Sequence, residues 1–155
     1  MNKCIILPPG HGKSYFGKVY DIVANIDSLH TEEQRVDLQN FLAKYDYDGY
    51  VKQESIFLKN RIKNVKRKIL LVHSQEQAEI YGLTILGNFK LHKKEIQKII
   101  KERESDPRTY RAKNTLDMWE ANKNAEKCKS FEELEQKIDS ILWTERLKYW
   151  GLTKP

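Results

Sequence analysis

The sequence is poor in the residues that most often announce a chemistry. It has two cysteines in 155 residues, Cys4 and Cys128, far apart and without metal-ligand spacing. That excludes a disulfide-stapled scaffold and a cysteine-based zinc site, and points to two reduced thiols in an intracellular protein. The four histidines, His11, His30, His73 and His92, form no HxxxH-type pair, so the spacing argues against zinc. Seven glycines and four prolines build no flexible linker, and no internal repeat is visible. No apolar run approaches the ~20 residues of a membrane span. The run after Met1 stops at Pro8-Pro9, too short for a signal peptide. The expectation is a cytoplasmic protein (in the host cell, if viral) with no membrane partner.

What is present is charge. Lys and Arg number 28 against 22 Asp and Glu, a net +6, with a pI near 9.2. This favours anionic partners such as nucleotides, nucleic acid or phosphorylated metabolites. A hydrophobic content of 39% suffices for one core, and the length for one domain. The abundance of Lys, Ile, Asn and Tyr suits an AT-rich genome, viral or parasitic.

The apolar run Cys4–Leu7, stopped by Pro-Pro-Gly, predicts a buried parallel strand. A helix over about 13–20 follows, then a second strand over Asp21–Asp27 that ends on a carboxylate. Thr31 with Gln34 three residues on is a capping box for a helix over about 31–45, with Leu38, Phe41, Leu42 and Tyr45 on one face. Asp48-Gly49 predicts a turn over 45–50, and helical spacing runs from Val51 to Val65. Ile69–His73 is the clearest central strand. A short helix over about 75–81 ends at Gly82, and Leu83–Leu91 reads as a fourth strand. From Lys93 onward the chain reads as helix: about 93–104, about 107–126 with Pro107 in the first turn, and about 131–149. The last carries Phe131, Leu134, Ile138, Ile141 and Leu142 on one stripe. This alternation predicts an α/β fold: three layers, a short, mostly parallel sheet of about four strands, and an all-helical C-terminal part. A single domain is expected, with residues 1–92 as the α/β core and 93–155 as a helical lid and C-terminal helices. Trp119, Trp143 and Trp150 fall on or near helix stripes, as core or as the contacts of an oligomer.

Residues 7–14 read LPPGHGKS. Gly10 and Gly12 allow the backbone to curl with its N–H groups inward, Lys13 can reach terminal phosphates, and the Ser14 hydroxyl can hold magnesium. The segment lies between an expected strand and an expected helix start, where an anion is favoured. From average residue usage, GxGK followed by Ser or Thr arises by chance in roughly one chain in a hundred or fewer. The stretch resembles the Walker A motif of P-loop NTPases, in its Gly-Pro-Pro-Gly-x-Gly-Lys-Ser form. The departure is Leu7, where that motif normally has glycine. That resemblance implies ATP or another NTP with Mg2+, cradled by the loop from Pro9 through Gly10, His11, Gly12, Lys13 and Ser14 to Tyr15.

The topology is similar to that of small P-loop kinases, of the shikimate, nucleoside and polynucleotide kinase type. That likeness implies that Asp27 orients or deprotonates an acceptor hydroxyl, or holds magnesium with Ser14; Asp21, which starts the strand, is a weaker candidate. It implies further that an arginine of the segment KERESDPRTYRAKN, Arg108 or Arg111 with Arg103 nearby, stabilises the transferred phosphoryl group. The strand ILLVHS ends without the acid that motor-type NTPases carry, which argues against a motor. The basic segment Lys59–Lys68 suits a nucleic acid or phosphorylated acceptor. The leading expectation is phosphoryl transfer from ATP to a nucleotide-like or nucleic-acid hydroxyl. The alternatives are a non-catalytic nucleotide-binding subunit acting in assembly, viral and associated with nucleic acid, and an NTP hydrolase completed by a partner's acid.

Overall fold

The computed structural model describes residues 2–67 and 69–149. Five strands form one parallel sheet: β1 (Lys3–Ile6), β2 (Val23–Asn25), β3 (Ile69–Val72), β4 (Thr84–Leu91) and β5 (Glu126–Cys128). Their spatial order is β2-β3-β1-β4-β5. The connecting helices are α1 (Lys13–Val19), α2 (Glu32–Ala43), α3 (Tyr47–Lys63), α4 (Gln75–Ile80), α5 (Lys93–Glu104), α6 (Arg111–Ala121) and α7 (Phe131–Tyr149).

Alternation along the central strands divides the core in two. Cys4 and Ile6 of β1 join Leu70 and Val72 of β3 on one face, covered by Leu58 and Ile62 of α3 and Ala78 of α4. Ile5 and Leu7 join Leu71 on the other, covered by Phe16 of α1 and Leu134, Ile138 and Leu142 of α7. Both faces are buried, which is why β1 and β3 read as unbroken apolar runs rather than alternating ones. Adjacent strands β1 and β3 hand the chain to opposite faces, through α1 and α4. The loops that leave them therefore diverge, and a crevice opens beyond their carboxyl ends. Helices α2 and α6 pack on each other and wall that crevice.

Four expectations are corrected. The sheet has five strands rather than about four, because residues 126–128 pair with Phe89–Leu91. The C-terminal part is thus not all helix. The segment Glu-Lys-Cys has a single inward side chain, Cys128, so pairing and not pattern makes it a strand. The turn expected at 45–50 is shorter: Tyr45 takes a positive φ, and Asp46 caps α3 by accepting the Gly49 N–H at 2.9 Å. Asp48-Gly49 is the first helical turn. The helix expected over 107–126 begins only at Arg111, because Asp106 Oδ1 accepts the Arg108 N–H at 2.8 Å and holds 105–110 in a turn. Finally, β2 ends at Asn25, and Asp27 lies in a 3-10 turn over Ile26–Leu29. Trp119 is core, whereas Trp143 is 58% exposed; Lys68, Trp150 and Gly151 lie outside the described residues.

The α7 stripe is one layer of the core, so Ile138→Ala should cost about 2–5 kcal/mol of stability in urea unfolding. Trp143→Ala, on the solvent side, should change it by less than about 0.5 kcal/mol.

Candidate functional site

The loop that follows β1 begins one residue later than the motif suggests. Leu7 is fully buried in the core, and its N–H donates to Val72 O at 2.9 Å, which continues the ladder. A glycine there would supply freedom that a strand residue does not use, so a leucine is accommodated. The curl itself falls on Gly10 and Gly12, with φ of 82° and 88°. Side chains are excluded from both on steric grounds as well. A Cβ on Gly10 would stand 2.8 Å from Ile99 Cγ2, and one on Gly12 would stand 2.9 Å from the Phe131 ring.

His11, between the two glycines, does not face the crevice. Its ring is fully buried; Nδ1–H donates to Pro9 O at 3.1 Å, and Nε2 accepts the Leu91 N–H at 3.0 Å. Burial, opposed by the Pro9 carbonyl and reinforced by Lys13 and Arg103, lowers its pKa to about 4. The histidine is a neutral strut between the loop and β4. Tyr15 likewise turns away, packing edge-on against Phe16 and Phe131. The part expected of His11 and Tyr15 in a phosphate cradle is that of their backbone, and their side chains do not border the cavity beside the loop.

Lys13 is only 5% exposed, and its ammonium donates to Leu7 O at 3.0 Å and Pro8 O at 3.1 Å. Burial lowers its pKa to about 8; Asp27 raises it and Arg103 lowers it further. Ser14 is exposed, and its Oγ accepts from Asn25 Nδ2 at 3.2 Å. Asp27 Oδ1 accepts from His73 Nε2 at 2.9 Å. Burial pushes the Asp27 carboxyl up, but His73, Lys13 and His30 together outweigh it and hold it below the usual carboxylate range. The remaining ring nitrogen of His73, Nδ1, is buried without a partner.

These groups border one cavity of about 390 Å³ that includes Gly10, Gly12, Lys13, Ser14 and Asp27. Arg103, Arg108 and Arg111 enter from the α5–α6 side and Arg35 from α2. The expected lid arginines therefore do converge on the loop. Arg108 and Arg111 share Asp106 as counter-ion, at 3.2 and 2.9 Å, and Arg103 donates to Thr115 Oγ1 at 3.1 Å. Burial, together with Arg111, lowers the Arg103 pKa to about 10. The lining counts five cationic side chains against one carboxylate, Asp27. Leu38, Leu42 and Met118 supply an apolar wall, with Leu38 itself buried.

Sequence reasoning missed His73, Arg35 and the inner group around Glu54. Glu54 is fully buried and accepts from His30 Nε2 (2.9 Å), Tyr50 (3.2 Å), Tyr81 (3.1 Å) and Gln77 (2.8 Å). A glutamate inside an amphipathic helix at a core-facing position was the available signal. The Lys59–Lys68 segment does not border the cavity among its described residues. Two of its cations are structural: Arg61 donates to Leu29 O, and Arg67 donates to the carbonyls of Gly17, Tyr20 and Val23. Among the described residues no helix is long and apolar enough to cross a membrane. Compared with protein families, curated proteins and solved structures, the chain matches none.

The His11 strut has a pH signature. Its folded pKa lies below the ordinary 6.5, so between pH 6.5 and 4 the unfolded chain binds more protons than the folded one. Its contribution is complete above pH 6.5 and is lost, to the extent of roughly 3 kcal/mol, as pH falls to 4. Denaturant titrations across that window should show this slope in the wild type and lose it in His11→Asn.

Proposed function

We propose that this protein binds a nucleoside triphosphate, ATP foremost, on the loop from Pro9 to Ser14 and transfers its terminal phosphoryl group to a hydroxyl of a nucleotide-like or nucleic-acid acceptor. One observation carries the reading. A buried ammonium, Lys13, hydrogen-bonds among the described residues only to the neutral carbonyls of Leu7 and Pro8, at the edge of a cavity lined by four arginines. A polyphosphate placed there would exchange weak neutral acceptors for charge-assisted ones and relieve the crowding of like charges.

The roles follow from placement. The amides of Gly10–Ser14 hold the phosphate chain, and Lys13 swings from Leu7 and Pro8 to the β- and γ-phosphate oxygens. The hard oxygens of Ser14 and Asp27 suit Mg2+, which neutralises charge on the phosphates when bound. Asp27, held by His73, accepts a hydrogen bond from the acceptor hydroxyl and aims its oxygen at the γ-phosphorus. As the new P–O bond forms, the bond to the β,γ-bridging oxygen breaks, the nucleoside diphosphate leaves, and the hydroxyl proton passes to Asp27. A carboxylate held at low pKa takes that proton late, so Asp27 acts more by positioning than by basicity. Arg103, Arg108 and Arg111 meet the charge on the equatorial oxygens; Arg35 and the wall of Leu38, Leu42 and Met118 face the acceptor.

The free, buried thiols Cys4 and Cys128 suit an intracellular setting. The reading as a nucleotide-binding assembly subunit draws on the exposed indole of Trp143. It keeps the loop and dispenses with turnover, and sedimentation with and without nucleotide separates it from a monomeric kinase.

ATP with magnesium at a hundred times Kd should stabilise the protein by about 2.7 kcal/mol in thermal unfolding. Lys13→Ala should remove the shift while leaving the fold intact. Asp27→Asn should keep nucleotide binding and lower turnover by about 10²–10⁴. No shift with any nucleotide in a folded sample overturns the proposal.

A further inference from the structure

Beneath the acceptor side of the cavity, two chain segments bring together side chains that spacing alone does not connect. Asp27 and His30 come from the 3-10 turn after β2 and the residue that closes it, and Glu54 from the middle of α3. One donor atom from each lies within 4.8 Å of the others. We propose that Asp27, His30 and Glu54 bind a divalent transition-metal ion, with Zn2+ the best match to the donor set. This site shares Asp27 with the magnesium proposed beside a nucleotide, but its other two donors, His30 and Glu54, have no part in that pair, and it does not rest on the phosphoryl-transfer reading.

Three features of the cluster support it. The first is charge. Glu54 is fully buried, and three of its four hydrogen-bond donors, Tyr50, Tyr81 and Gln77, are neutral. A buried carboxylate needs a cation or a proton close by. An ion seated between His30 and Glu54 takes the place of the proton they share at 2.9 Å. The second is geometry. Donor atoms ~2.1 Å from a common ion stand roughly 3–4 Å apart, so the three side chains need move little to close on one. The third is support. Glu54 is held by Tyr50, Tyr81 and Gln77, and Asp27 by His73, which is the outer ring of hydrogen bonds that fixes ligands in metal sites.

The donor set selects the ion. One imidazole and two carboxylates, with an inherent vacancy in the coordination, suit zinc with an exchangeable fourth ligand better than magnesium, which keeps its waters and an octahedron of oxygens. Asp27 and His30 both border the cavity, so the fourth position opens there. A water or hydroxyl bound at that position would be made more acidic.

The test uses full-length, nucleotide-free protein and Zn2+ alone. After dialysis against Zn2+ and removal of excess, elemental analysis should find one zinc per chain. Co2+ should give the visible absorption of a low-coordinate site. His30→Gln should lower Zn2+ affinity by more than a hundredfold, and His73→Asn by about 10–100-fold, the usual effect of losing an outer partner. Ser14→Ala and Lys13→Ala should leave zinc content unchanged while Lys13→Ala abolishes the nucleotide shift, so the two proposals fail independently. Glu54→Gln is read only in samples whose circular dichroism is native. Folded wild type without stoichiometric zinc overturns the inference, and so does zinc that persists in His30→Gln, which would place it on the thiols or elsewhere.

Discussion

The peptide of Leu91 is the junction on which the site depends. Its N–H is taken by the ring of His11 and its carbonyl by the indole of Trp119, at 3.0 and 2.8 Å. One bond reaches back to the loop after β1 and the other forward to α6, which begins with Arg111. The loop and the arginine-bearing helix are thereby registered on the same strand end. Lys90 beside it donates to Trp119 O and lies 4.3 Å from the indole centre, and Asn122 bonds Asn88. All are buried or nearly so, where an unmade bond costs most. The α6 end of the cavity is therefore tied to the loop through the core.

Charge in this molecule is sorted by use. The net +6 does not say where on the fold the cations lie. Arg61 and Arg67 serve as backbone ties between α3, the 3-10 turn and the α1–β2 link. Lys13, Arg35, Arg103, Arg108 and Arg111 converge on one cavity, moderated by Asp27 and by Asp106 behind them. Lys13 is pushed down by burial and by Arg103, and Arg103 by burial and by Arg111 and Arg108.

Much of the fold was legible in the chain. The apolar runs at Cys4–Leu7 and Ile69–Val72, the capping box at Thr31–Gln34 and the α7 stripe all came through, because each is a local pattern with a local cause. The misses share a cause too. β5 exists only because β4 offers it a free edge. Asp48-Gly49 has turn chemistry, but Asp46 caps a helix through it. Leu42 has core periodicity yet is only half-buried at the edge of a cavity, since a stripe does not say how completely the fold will cover it.

The sequence by itself determined the parallel α/β architecture and the curled loop of residues 8–14, since strand burial, helix capping and glycine's access to positive φ are properties of neighbouring residues. Only the tertiary structure decided what the loop faces. Arg35, Arg103, Arg108, Arg111 and His73 line one cavity with Lys13 because β1 and β3 lie side by side and send their helices to opposite faces. The same arrangement decided that the His11 ring is a strut between the loop and β4, and that Glu54, in the middle of a helix, lies against His30. Distances between segments far apart in the chain follow from packing, and no local pattern encodes them.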